Sequence, residues 1–417
     1  LPASVTSLGV RVFAQCTSLT SADLSLLTIT RIPSYTFNGC NALKAVSFPQ
    51  TLEYVGMSAF QHCTALEELT FPDNSIAFDD NCFYNCSSLS NVTFPTKYCD
   101  FDYYSFGNCT KLLDITISGD STLYYNSIGF YDDGASGTVK QVPGVTFHVP
   151  FNSKVQNYVA PKEAFILKPT DGVKYTVLED QTVRIDQISV KSTGITIPAR
   201  IEGMPVSAIG TRALKGLSSV TNITLPNTLT SIEDYAFMNC TSLSSCYIPA
   251  AVTWIGSNAF YNTKLSSKWK STEFVILGDG VLYQYNGKAQ EITVPDTVKV
   301  IGEGVFAYQT NLQKVTLHEG LTRIGDGAFL YCQSLASVEL PDTVTCVGNA
   351  AFSGCTGLKR FTCGTDLALI DEYAFFDCTI ELFRGEDGSY AQSYAKDNGY
   401  TFEILPKEEP VTPETDA

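Results

Sequence analysis

A phenylalanine returns every 23 residues, and that period constrains the fold of this chain more than any other feature. Phe13, Phe37, Phe60, Phe83 and Phe106 form one run, and Phe237, Phe260, Phe306, Phe329, Phe352 and Phe375 form a second. Every step is 23 except one of 24 after Phe13 and one of 46 between Phe260 and Phe306. Tyr283 falls in that doubled gap, and Leu214, 23 residues before Phe237, opens the second run. A fixed period of roughly 20–50 residues marks a repeat architecture.

Each unit carries its own punctuation. Eight copies place a Pro eleven residues before the Phe, Pro49, Pro72 and Pro226 among them, and ahead of it stands an apolar-x-apolar pair such as Leu69-Thr70-Phe71. That alternation predicts a short strand with one buried face, stopped by a residue that has no N–H to give a ladder. A second extended piece ends in Val55-Gly56, Ile255-Gly256 or Ile324-Gly325. The glycine is expected to supply a positive φ where the chain turns. A helical turn carrying Ala-Phe-x-x-Cys then completes the unit. One unit cannot bury its own apolar stripe, so the copies must stack into a solenoid.

The consensus L-x-x-V-x-I-P-x-x-V-x-x-I-G-x-x-A-F-x-x-C resembles the BspA-like class of bacterial leucine-rich repeats, and Ile223–Pro249 (ITLPNTLTSIEDYAFMNCTSLSSCYIP) is a close match. The resemblance implies a leucine-rich repeat solenoid of α/β type, parallel short strands stacked with short helical turns. It further implies a curved surface, an extracellular or cell-surface location, and a role in binding or adhesion. It brings no catalytic residue with it.

Phe106 and Leu214 are 108 residues apart, not a multiple of 23, so two arrays are expected rather than one. The first module spans 1–168, with an irregular last rung at 118–144 and a cap at 150–168. A short link, 169–174, precedes a second module over 175–405, which has an N-terminal hairpin at 175–190 and a cap at 385–405. Both caps read as a short amphipathic helix followed by an extended apolar tail. The Pro-, Glu- and Thr-rich residues 406–417 read as a linker or tail. The chain begins at Leu1 without a signal, as expected of a fragment whose export signal is gone.

Fourteen cysteines invite a metal or disulfide reading, but nine hold one repeat position (Cys16, Cys40, Cys63, Cys86, Cys109, Cys240, Cys332, Cys355, Cys378) and should stack inward as small hydrophobes. Paired Cys-x-x-Cys knuckles are lacking, so no metal site is expected. Cys99 and Cys346 fall in expected turns and are the two thiols expected to react. His62, His148 and His318 lie in different rungs, no carboxylate pair stands out, and no phosphate-loop pattern appears. Neither catalytic residues nor a cofactor site are expected. Five N-x-S/T sequons mostly follow the repeat's own Asn-Cys-Thr/Ser habit.

A net charge of −16 repels phosphate backbones and anionic lipid, and no apolar run is long enough to enter a bilayer. A protein or glycan ligand is therefore the expected partner of a monomeric chain. Two surfaces could carry it. One is a tyrosine-rich region at the end of the first module, Tyr103, Tyr104, Tyr124, Tyr125 and Tyr131. The other is the outward row of the strands: Thr70, Thr93, Thr116, Tyr247, Thr293, Thr316 and Glu339. The alternative is a structural stalk whose repeats space another domain and bind nothing.

Overall fold

In the computed structural model, which describes residues 1–132, 139–162 and 164–405, short parallel strands stack rung upon rung. The chain divides into two compact units, Leu1–Val206 and Ser207–Ala417. The expected tail at 406–417 lies outside the described residues, as do 133–138 of the irregular rung and residue 163 of the first cap.

In the first unit one column of strands includes Ser21–Asp23 beside Ala45–Ser47 and Glu68–Thr70 beside Asn91–Thr93, in parallel register. The second extended piece of each unit builds another column, Arg31–Ile32, Tyr54–Val55, Ile76–Phe78, Cys99–Phe101 and Thr122–Leu123, in one parallel sheet. Central strand residues such as Val46, Leu69 and Val92 are buried and their neighbours are exposed. The same two columns recur in the second unit, where Glu291–Thr293 pairs with Lys314–Thr316 and Ser337–Glu339 with Arg360–Thr362.

The Ala-Phe-x-x-Cys segment is a tight turn instead of the expected helical one. Its N–H groups bond to the next rung: Phe37 to the carbonyl of Ala59 at 2.7 Å, Phe60 to Cys82 at 2.7 Å, Phe83 to Ser105 at 2.8 Å. Residues two before and two after the Phe have positive φ, as at Ser58 (53°) and His62 (65°) or Asn81 (55°) and Asn85 (61°). Alternating left-handed residues aim every second amide at the neighbouring rung, while the amides between, such as Ala59 to the Gly56 carbonyl and Gln61 to that of Ser58, close the turn itself. Asn tolerates that conformation better than most side chains, and this accounts for the Asn-Cys-Thr/Ser habit. Gly56 and Gly325 do not have positive φ; their role is close approach. A Cβ on Gly56 would sit 2.7 Å from the Ser34 amide nitrogen, and one on Gly325 2.8 Å from the Ile301 carbonyl.

The core is a set of stacked columns. Phe13, Phe37, Phe60, Phe83 and Phe106 lie face to face with centroids 4.8–5.2 Å apart, and Phe306, Phe329 and Phe352 repeat the stack at 5.0 and 5.1 Å. Stacking of this kind adds to the area buried.

Three short helices are described. The first, α1 (Lys154–Val159), is capped by Ser153, whose hydroxyl accepts from the Gln156 amide at 3.1 Å. The second, α2 (Lys264–Trp269), has a capping box made by Thr263 and Ser266. The third, α3 (Tyr390–Asp397), is followed by the strand Phe402–Ile404. The strands Val173–Val177 and Val183–Ile188 form an antiparallel hairpin. The hairpin lies in the first unit, so the boundary of the compact units comes later than the 169–174 link. Hydrogen bonds explain why: Asn152 and Gln156 bond to the backbone of Gly194 and Thr196 at 2.8–2.9 Å, and Glu202 donates to the Leu167 carbonyl. No helix among the described residues is long and apolar enough to cross a membrane.

Candidate functional site: an aromatic rim on the first unit

The strand Cys99–Phe101 buries Cys99 and Phe101 and leaves Asp100 half-exposed. The turn that follows holds Tyr103 and Tyr104, the latter at a positive φ of 52°. One rung on, Thr122–Leu123 pairs with Asp100–Phe101, and the Tyr124 amide bonds to the Phe101 carbonyl at 2.9 Å. This shortened, 22-residue register brings Tyr103 and Tyr124 to 5.9 Å between ring centroids. Tyr98 joins them through a 3.1 Å bond between its hydroxyl and that of Thr122. Tyr103, Tyr124 and Tyr125 are 48%, 43% and 71% exposed.

Two of the expected tyrosines are half-buried and have partners within the fold. Tyr104 packs edge-on to Tyr84, and its hydroxyl accepts from the Asn126 side chain at 3.2 Å. Tyr131, in the strand Phe130–Asp132, is half-buried against the core.

Beside the rim lie Asp79, Asp80 and Asp102, with carboxylate oxygens within 4.8 Å of one another. Burial first, and then Asp80, Asp100 and Asp79, push the Asp102 carboxyl above its ordinary range. Two of the three are already engaged: Asp80 accepts the Tyr103 amide at 3.1 Å, and Asp79 accepts the Tyr54 hydroxyl. The cluster was missed in reading for carboxylate pairs, although Asp79 and Asp102 are one 23-residue period apart.

Parallel pairing sets the residues of the sheet row beside one another. Thr70 faces Thr93, Thr293 faces Thr316, Thr116 faces His148, Tyr247 faces Thr224 and Glu339 faces Thr362. All seven expected positions are exposed, Tyr247 by 75%. The histidines are locally occupied: His62 bonds Asn85 at 2.9 Å, His148 lies 3.1 Å from Asp114, and His318 bonds the Glu319 carbonyl at 2.8 Å.

All fourteen cysteines are free thiols. Cys99 and Cys346, expected to be exposed, are buried, since both lie on inter-rung strands; Cys346 sits between Arg323 and Leu369 in parallel register. Burial pushes the Cys99 thiol up to about 12. The exposed thiol is Cys16, in the first Phe-x-x-Cys turn.

Six copies of the BspA type leucine rich repeat region match residues 6–132, 189–286 and 276–395. The chain belongs to the BspA-type leucine-rich repeat family. Solved structures similar to this BspA-type chain include a leucine rich repeat protein of T. pallidum, 25% identical, covering 57% of this chain and 97% of that one with a TM-score of 0.27. A leucine-rich repeat protein from Bacteroides ovatus is 20% identical over 96% of this chain and 88% of its own, with a TM-score of 0.27. A leucine rich cell surface protein from Faecalibacterium prausnitzii is 20% identical over 95% and 89%, with a TM-score of 0.24. Among curated proteins none matches.

Proposed function

We propose that this BspA-type chain is a non-catalytic binding or adhesion scaffold, placed outside the cell or on its surface, that works as a monomer and presents its repeat surface to a protein or glycan ligand. The observation that carries the reading is the rim of Tyr103, Tyr124 and Tyr125, exposed rings held by successive rungs of a rigid ladder. Tyrosine joins a large apolar face to a hydrogen-bonding tip and loses little rotamer freedom on binding. Closing the solenoid needs apolar cover, which Phe101, Phe106 and Phe130 already supply from buried positions. The net charge of −16 directs the choice of ligand away from polyanions.

The test is a panel of glycans and purified extracellular proteins probed with the whole chain. Saturable binding of at least one member is the expected result. A panel without any saturable ligand would favour the stalk, in which the repeats bind nothing.

A further inference from the structure

The rung built on Tyr283 lacks the turn by which its neighbours bond to one another. Below it, Tyr235, Phe237 and Asn239 donate to the carbonyls of Ser257, Ala259 and Tyr261 at 2.8–3.0 Å; above it, Gly304, Phe306 and Tyr308 donate to Asp326, Ala328 and Leu330 at 2.7–3.0 Å. Between the two, α2 and the antiparallel pair Phe274–Leu277 and Val281–Tyr285 replace the turn, and the ladder is interrupted.

The interruption leaves matched, unused backbone groups. The Phe260 N–H is met by the Tyr283 hydroxyl at 3.0 Å. The N–H groups of Asn258 and Asn262 on the same wall have no partner among the described residues, and neither do the carbonyls of Glu303, Val305 and Ala307 on the opposite wall. A cavity of about 640 Å³ opens between the walls, lined also by Tyr261, Tyr308 and Ser266. Strands in a sheet lie about 4.8 Å apart, so omitting one turn leaves a slot one strand wide, with donors on one side and acceptors on the other. That is the complement of a single extended backbone.

One end of the slot is acidic. Asp234 and Glu303 both accept the Ser257 amide, at 2.8 and 3.1 Å, Glu303 reaching across the missing turn to do so. Asp326 occupies the equivalent position one rung further on. Burial, with Asp234 and Asp326 adding to it, pushes the Glu303 carboxyl up to about 7, and the Ser257 amide and then Arg323 offset this only in part.

We propose that this slot binds an extended peptide segment of a partner protein, with a basic residue facing Asp234 and Glu303, which completes the ladder by accepting from Asn258 and Asn262 and donating to Glu303, Val305 and Ala307. Neighbouring turns also define its conformation: φ is positive at Asn258 and Asn262 (53° and 55°) and at Gly304 and Tyr308 (61° and 63°). The bound segment therefore carries Gly or Asn at two positions four apart, with Lys or Arg directly before the first. The minimal probe is Lys-Gly-Ala-Ala-Ala-Gly. The surface is separate from the aromatic rim, and its failure would leave that reading intact.

The experiment titrates the labelled hexapeptide into the whole chain by fluorescence anisotropy and follows amide exchange of the complex. Saturable binding with a Kd below about 1 mM is expected, with exchange slowed at Asn258 and Asn262. Proline at the peptide's fourth position removes the N–H that meets Val305 and should weaken binding at least tenfold. Glu303→Gln should weaken it several-fold with the melting temperature unchanged. If that variant folds poorly, the proline peptide on the unaltered chain decides. No saturation, equal binding by the proline peptide, or protection elsewhere than Asn258 and Asn262 would overturn the proposal. Equal binding by a peptide with Glu in place of Lys would overturn its charge requirement.

Discussion

The thiols of Cys40, Cys63, Cys86 and Cys109 each donate to the carbonyl of a Phe in the rung before, at 3.1–3.3 Å. Cys240, Cys332, Cys355 and Cys378 repeat the contact on Leu214, Phe306, Phe329 and Phe352 at 3.0–3.1 Å. A small apolar side chain with a weak donor thus fills space and satisfies a carbonyl at once, which Ala could not do. Burial blocks reagents and disfavours the reactive thiolate. In reductant-free labelling of the native chain, Cys16 should react first, with Cys246 and Cys378, half-buried, much slower. Denatured protein should show all fourteen. Rapid native labelling of Cys99 or Cys346, read by peptide mass mapping, would contradict the burial assigned to them. Those two were misplaced for different reasons, since the strand of Cys346 does end in the expected Val347-Gly348 and that of Cys99 has no such ending. Cys99-Asp100-Phe101 lacks the apolar-Gly ending, and Cys346 holds an outward strand position whose cover comes from other rungs.

A single rung has little to hold it except its two neighbours, through ring stacking, thiol contacts and inter-rung amides. Phe329 stacks on Phe306 at 5.0 Å and Phe352 at 5.1 Å, and is fully buried. Phe329→Ala should cost roughly 3–5 kcal/mol, the range for deleting a buried ring. Amide exchange should show the loss concentrated in the rungs around 306–375, because repeat interfaces are nearest-neighbour terms. Equal loss of protection at Phe37, Phe60 and Phe83 would mean that the rungs do not act locally. Strand alternation, the Pro stop and the period were legible at this scale, since each depends on which residue types recur. The turn was not: the left-handed conformation is occupied by Ser58, His62, Tyr104 and Tyr308 as well as by Gly and Asn, so residue type does not announce it. Gly56 misled for the complementary reason, its demand being the closeness of another rung, which no local sequence records.

Across the whole molecule, the repeat explains the buried columns and leaves the departures from it to be accounted for. The first unit departs at its tyrosine rim and the second at the Tyr283 rung. Both were visible as breaks in the period, but which tyrosines face outward was decided by packing: Tyr104 and Tyr131 share the composition of the rim without its exposure. The most direct test of the binding account compares the unaltered chain with a variant carrying Tyr103→Ser, Tyr124→Ser and Tyr125→Ser. Affinity for the panel ligand and melting temperature are measured together, with Tyr247→Ser on the sheet row of the second unit as the control. Exposed contact aromatics contribute to interface energy far more than to folding, so affinity should fall at least a hundredfold. The melting temperature should stay within about 2 °C, since surface substitutions seldom change stability by more than roughly 0.5 kcal/mol, and the control should behave as the unaltered chain. Retained affinity in the triple variant, or loss of affinity that tracks a collapse in melting temperature, would contradict the account.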